Sequence, residues 1–218
     1  MKKEPITELV FILDRSGSMS GLERDTVGGF NGMLRRHRAL PGRCRITTVL
    51  FDDRYELVHD RLPIDRVAPL DESTYYVRGM TALMDAVGRT IQSIVRAQRS
   101  AAPGDRADRV MFVIITDGLE NASRVFSRAE VREMIRCERE RYGWEFLFLG
   151  ANIDAEAEAE AMGIDRARAV NYRADGEGTR LNFEAVAEAA CEMRAARPVT
   201  SRWRERIDRD YAERGGKR

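Results

Sequence analysis

Lysine is nearly missing from this chain. Apart from Lys2, Lys3 and Lys217, every basic side chain that stays charged at neutral pH is arginine, which reads as codon bias before it reads as phosphate recognition. No Gly-X-X-X-X-Gly-Lys loop is present to cradle a nucleotide phosphate, and no Gly-X-Ser-X-Gly elbow to present a nucleophile. Cysteine is scarce too. Cys44, Cys137 and Cys191 are far apart, odd in number and without a Cys-X-X-Cys pair. That favours reduced thiols over a disulfide framework or a zinc site. The two histidines, His37 and His59, have no sequence partners and read as surface or structural residues. Excess charge of one sign is absent as well: 37 Lys and Arg against 36 Asp and Glu leave a formal net charge of +1. No whole-chain field therefore argues for nucleic acid or an anionic membrane. Nor is there a long apolar run. The stretch after Met1-Lys2-Lys3-Glu4-Pro5 is too short for a signal-peptide core, and no later segment suits a bilayer. A cytoplasmic location is the expectation.

What is there centres on Leu9-Val10-Phe11-Ile12-Leu13-Asp14-Arg15-Ser16-Gly17-Ser18-Met19. A buried parallel strand that stops at an acid and turns through Ser-Gly-Ser into a helix has this form. Asp14, Ser16 and Ser18 are three hard oxygen donors, suited to Mg²⁺, Mn²⁺ or Ca²⁺. Taken alone, the triplet reads more readily as a helix-capping turn than as a metal site.

The remaining pattern alternates strands with helices. Gly21 to Leu40 is a first helix, closed by Pro41-Gly42; Arg45 to Phe51 and Tyr55 to Val58 form a hairpin about Asp52-Asp53. The paired aspartates read as turn residues. After a polar connection from Pro63 to Tyr76, a second helix runs from Ala82 to about Gln98. Thr81 stands at its N-terminus, as an N-cap or as a ligand, and Asp85 lies in its first turn, where it complements the helix dipole. Arg109 to Thr116 is a second apolar strand that ends in an acid, Asp117-Gly118. Ser127 and Glu130 form a capping box for a third helix to about Tyr142. Strand Trp144 to Leu149, helix Asp154 to Met162, strand Ala167 to Asn171 and helix Gly178 to Ala196 follow. The expected organisation is one domain over 1–196 and a charged, solvated, partly helical tail over 197–218. In that tail Trp203, Ile207 and Tyr211 recur at spacings of four.

The expected fold class is α/β: a doubly wound, Rossmann-like, mostly parallel six-stranded sheet with one antiparallel edge strand and helices on both faces. Such sheets bind ligands at the carboxyl ends of their strands, where strand order reverses. In the order 3-2-1-4-5-6 that crevice opens between the first strand and the fourth. Asp14, Ser16, Ser18, Thr81 and Asp117 then converge. Glu120 and Asn121, just beyond Asp117, read as a polar loop start or as contacts to an ion's water shell; Asn152 is a weaker rim candidate.

Asp14-X-Ser16-X-Ser18, the threonine of Gly79-Met80-Thr81-Ala82-Leu83, and Thr116-Asp117-Gly118 resemble the three parts of the metal-ion-dependent adhesion site of von Willebrand factor type A (VWA) domains. The resemblance covers roughly Thr7 to Arg194, and its wording looks like that of small stand-alone bacterial members. It implies that Ser16, Ser18 and Thr81 offer hydroxyl oxygens while Asp14 and Asp117 act directly or through water. Three neutral hydroxyls and at most two acids leave a divalent ion electron-poor, so that it takes an anion, in the family an Asp or Glu carboxylate of a protein partner. Some family members work beside ATPases or in multi-component stress and defence systems.

The leading expectation is thus a divalent-metal-dependent protein-binding module rather than an enzyme, with Mg²⁺, or Mn²⁺ or Ca²⁺, as its ion. The competing reading is a Mg²⁺-dependent hydrolase or phosphoryl-transfer enzyme at the same ion. A third, an RNA-binding adaptor using the arginine-rich tail, predicts steep salt dependence that survives loss of the metal.

Overall fold

The computed structural model describes residues 4–215. Six strands form one sheet in the order β3-β2-β1-β4-β5-β6. They are β1 (Ile6–Asp14), β2 (Arg43–Phe51), β3 (Tyr55–Pro63), β4 (Arg109–Thr116), β5 (Glu145–Gly150) and β6 (Ala169–Asn171). Every pairing is parallel except that of β3 with β2. The fold class and the position of the antiparallel edge strand are as the sequence predicts. β3 extends past its expected end at Val58, because register shifts in the β2 pairing let the ladder continue to Pro63.

All nine residues of β1 are buried, since both sheet faces are covered. Leu9, Phe11 and Leu13 join one core; Val10 and Ile12 join the other, as the two-residue period of a strand requires. Helices α1 (Glu23–Arg38) and α5 (Gly176–Arg194) cover the first face, with Phe30, Leu34, Phe183 and Val186 in that core. Helices α2 (Leu83–Ser100), α3 (Arg128–Tyr142) and α4 (Ala155–Ala161) cover the second through Val87, Ile91, Ile135 and Ala159. The capping box is present: Ser127 accepts from the Glu130 N–H while the Glu130 carboxylate accepts from the Ser127 N–H, and Gly143 closes α3 at φ 62°.

The segment after Pro198, expected as a solvated tail, is docked instead. Val199, Trp203 and Ile207 are buried in the first core, the last two on a short 3₁₀ turn and helix α6 (Glu205–Glu213). Trp203 Nε1 donates to the Ala167 carbonyl at 3.2 Å. The charges that made this stretch read as solvated are paired with the body: Arg204 with Glu156 at 2.7 Å, Arg206 with Glu184 at 2.8 Å, Arg214 with Asp175 at 2.6 Å. A charged composition left an apolar stripe at helical spacing free to pack. Residues 216–218 of that expected tail lie outside the described residues. No described helix is long and apolar enough to cross a membrane.

Candidate metal site

β1 and β4 are adjacent and parallel, so their carboxyl ends bring Asp14 and Asp117 to one edge of the sheet. The backbone after β1 turns at once. Asp14 Oδ1 accepts the Ser16 N–H at 2.7 Å, and a short 3₁₀ turn, Gly17–Met19, follows. The Gly17 N–H donates to the Gly79 carbonyl at 3.2 Å, which ties this turn to the segment entering α2. Thr81 is not a helix cap. Ala82 takes the N-cap position, and the Thr81 hydroxyl donates to Ser16 Oγ at 3.0 Å. Ser16 Oγ lies 3.1 Å from Ser18 Oγ. Three hydroxyl oxygens from two loops therefore stand in a chain of contacts, with Ser18 and Gly17 open to solvent and Ser16 and Thr81 buried. A Cβ on Gly118 would lie 3.2 Å from Ser18 Oγ and 3.5 Å from Thr81 Oγ1, so the space beside the hydroxyls depends on glycine there.

Both carboxylates are buried. Burial raises the Asp14 carboxyl above its ordinary range, opposed by hydrogen bonds from Ser16, Thr116 and the Asp117 backbone. Burial likewise pushes Asp117 up to about 6, with the nearby Asp14 charge adding to it and the Asn152 amide opposing it. Neither has an ion-pair partner among the described residues. Arg15, which stands between Asp14 and Ser16, is fully buried but turned away: its Nε is 3.1 Å from Asp52 Oδ2 and its Nη2 is 2.6 Å from Glu56. Two acids and three hydroxyls with no local cation are a donor set for a hard divalent ion, which would offset the burial penalty on both carboxyls. Among the described residues no group of three or more His, Cys, Asp or Glu side chains is placed to hold a metal, so any site here depends on the hydroxyls.

The surrounding residues hold the loops. Thr116 Oγ1 donates to Asp14 Oδ2 at 2.6 Å, and the Tyr75 hydroxyl donates to the Asp14 carbonyl. Asn152, at φ 54°, donates its amide to Asp117. Glu120 and Asn121 act as ties. Asn121 Oδ1 accepts the Thr81 N–H at 2.9 Å, and Glu120 accepts the Met84 N–H at 2.9 Å, occupying the α2 N-terminus that Thr81 leaves uncapped. Asp85 accepts the N–H groups of Arg124, Val125 and Phe126 at 2.8–3.0 Å, a clamp on the loop after β4. Asp52, read as a turn residue, accepts from Arg54 N as a turn would; it also binds Arg15 and, at 2.6 Å, Arg78. An open cavity of about 730 Å³ adjoins the site, running from Asn152 to Tyr211 of α6.

Neither histidine reaches the site. His37 is buried, with Nε2 3.1 Å from the Ala187 carbonyl and Nδ1 3.4 Å from Arg194 Nη1. Arg194 can only donate, so the Nε2–H tautomer is required; Cys191, 4.0 Å from Nε2, therefore faces a donor rather than a base. His59 stacks on Phe30.

No family model matches the chain, and no curated protein matches it. Solved structures do. A von Willebrand factor type A protein from Catenulispora acidiphila superimposes with a TM-score of 0.59 at 14% identity, over 86% of this chain and 43% of that one. Proximal thread matrix protein 1 from the mussel byssus, described with a zinc-occupied MIDAS motif, gives 0.58 at 17% identity over 86% and 46%. The ArnB paralog VWA2 from Sulfolobus acidocaldarius gives 0.54 at 17% identity over 84% and 44%. The chain thus spans less than half of each of these proteins. The fold shared with these solved structures is the VWA, Rossmann-like fold.

Proposed function

We propose that the chain is a divalent-metal-dependent protein-binding module that recognises an Asp or Glu carboxylate of a partner, and that it is not an enzyme. The observation that carries this reading is the pair of buried carboxylates, Asp14 and Asp117, without a cation beside the linked hydroxyls of Ser16, Ser18 and Thr81. The donor chemistry fits Mg²⁺ or Mn²⁺, and Ca²⁺ with less constraint on geometry. The zinc in the mussel protein's MIDAS supports a divalent ion at this position of the fold. Bound there, the ion supplies a coordination position that takes an anionic oxygen. The chain's own residues do the rest. Thr116 and the Ser16 N–H donate to Asp14 and so favour its ionised form against its burial, Asn152 orients Asp117, and Asn121 and Glu120 fix the Thr81 segment. Among the described residues the hydroxyl cluster is bonded to no histidine or cysteine that could serve as nucleophile or base, which supports binding over turnover.

Water-proton relaxation with Mn²⁺ tests the reading. The chain should enhance relaxation, acetate should lower the enhancement by displacing metal-bound water, and Asp14→Ala should remove both effects. Enhancement that is identical in Asp14→Ala would sink it.

A further inference from the structure

Two of the most exposed large apolar side chains in the structure lie on the loops that carry the site. Met80, next to Thr81, is 53% exposed, and Leu119, two residues past Asp117, is 58% exposed. Neither loop is slack. The Asn121 N–H donates to the Thr81 carbonyl at 3.0 Å, the Ala122 N–H donates to the same oxygen at 3.2 Å, and the Asn121 side chain accepts the Thr81 N–H. The 79–81 and 118–122 segments are thereby bound to each other, with Gly118 against the Ser18 and Thr81 hydroxyls. Met80 and Leu119 are thus exposed apolar residues directly adjoining, in the chain, Thr81 and the Gly118 that packs on the hydroxyl cluster. The bonds between Thr81 and residues 121 and 122 hold the two exposed side chains on one tied pair of loops.

We infer that the partner presents its carboxylate between large apolar side chains, and that these pack on Met80 and Leu119. This rests on the carboxylate-binding reading above and names the partner's chemistry. A carboxylate on an ion is a contact that any acidic residue, or acetate, makes equally well, so discrimination falls to what surrounds it. Apolar flanks supply it in two ways. They bury the exposed Met80 and Leu119 surface, and they exclude water from the ionic contact, which strengthens it. A polar or glycine-flanked acid gains neither.

The probes are three peptides, acetyl-Leu-Glu-Leu-amide, acetyl-Gly-Glu-Gly-amide and acetyl-Leu-Gln-Leu-amide, titrated into the full chain with Mg²⁺ by NMR. The leucine-flanked glutamate should bind on the order of tenfold more tightly than the glycine-flanked one, and the glutamine peptide not at all. In the surface double variant Met80→Ser, Leu119→Ser the preference should fall to about onefold, with the melting temperature as the check that folding is intact. Equal binding of the two glutamate peptides to the wild type overturns the apolar flank and leaves carboxylate recognition standing. Binding of the glutamine peptide as tightly as the leucine-flanked glutamate, or failure of both glutamate peptides on Mg²⁺-loaded protein, overturns carboxylate recognition itself.

Discussion

Thr116 Oγ1 donates to Asp14 Oδ2 at 2.6 Å, joining the last residue of β4 to the last residue of β1. With the Ser16 N–H on Oδ1, this leaves each carboxylate oxygen of Asp14 with a donor inside the protein. Thr116 thus positions the acid that the site is built on. Replacing it with valine keeps the shape and removes the donor. Thr116→Val should cost about 1–3 kcal/mol in denaturant unfolding and weaken Mg²⁺ binding, because a buried carboxylate oxygen is left without its donor. Unchanged metal affinity in a destabilised variant would reduce Thr116 to a packing residue.

Gly118 allows a sharper separation of site from fold. A methyl group there meets Ser18 Oγ at 3.2 Å, and Ser18, exposed, can rotate away at the cost of its hydroxyl contact with Ser16. Gly118→Ala should therefore leave stability nearly unchanged and lower metal affinity roughly tenfold, the size of effect seen when a ligand's support is disturbed. Calorimetric titration beside thermal unfolding would distinguish this from general damage.

Asp52 carries a heavier structural role. It is fully buried, holds Arg15 on one side and Arg78 on the other, and its carbonyl accepts the Ala82 N–H at 2.9 Å. Asp52→Asn leaves the buried Arg15 guanidinium with Glu56 as its remaining anion. A loss of about 3 kcal/mol is expected from denaturant unfolding, as for other buried pairs broken on one side. A change within 0.5 kcal/mol, about what exposed surface substitutions show, would mean that water or Glu56 compensates.

His37 predicts acid sensitivity. Burial, aided by the Arg194 and Arg36 charges, lowers its folded-state pKa from 6.5 to about 4. The unfolded chain takes up a proton at His37 near pH 6.5 while the folded one refuses it until about pH 4, so His37 carries no penalty above pH 6.5 and lowers stability across that window. The full effect is roughly 3 kcal/mol. His37→Gln should flatten the pH dependence of unfolding between those limits. An equal slope in the variant would assign the acid sensitivity elsewhere.

The docked C-terminal segment makes its own prediction. Trp203 is 3% exposed and reaches Ala167 through its indole N–H, so Trp203→Ala should cost roughly 3 kcal/mol or more. A solvated tail would tolerate it freely, and the near-ultraviolet circular dichroism of the second tryptophan, Trp144, would report whether the core stays packed.

Much of this architecture was legible in the chain. β1 and β4 announce themselves as apolar runs that end in acids, alternation with helices points to a doubly wound sheet, and in the common 3-2-1-4-5-6 order of such sheets Asp14 and Asp117 meet. The candidate ligands were local signals of that kind. What holds them was not. Glu120 caps a helix 36 positions earlier in the chain, and Asp85 clamps a loop about 40 positions later. Such ties depend on where two loops cross, which periodicity does not encode. Asn152 could be ranked only as a rim residue because its left-handed backbone and its bond to Asp117 emerge from the end of β5. Tail docking was hidden for another reason: a charge-rich composition reads as solvation until the acidic partners Glu156, Glu184 and Asp175 are seen to lie beneath it.

The most direct measurement is a calorimetric titration of metal-free protein with Mg²⁺ and Mn²⁺, run for the wild type, Asp14→Ala and Thr81→Ala. Saturable binding by the wild type, weakened at least about tenfold in both variants, is the expected result. Equal binding by all three proteins would contradict the assignment of the ion to Asp14, Ser16, Ser18, Thr81 and Asp117.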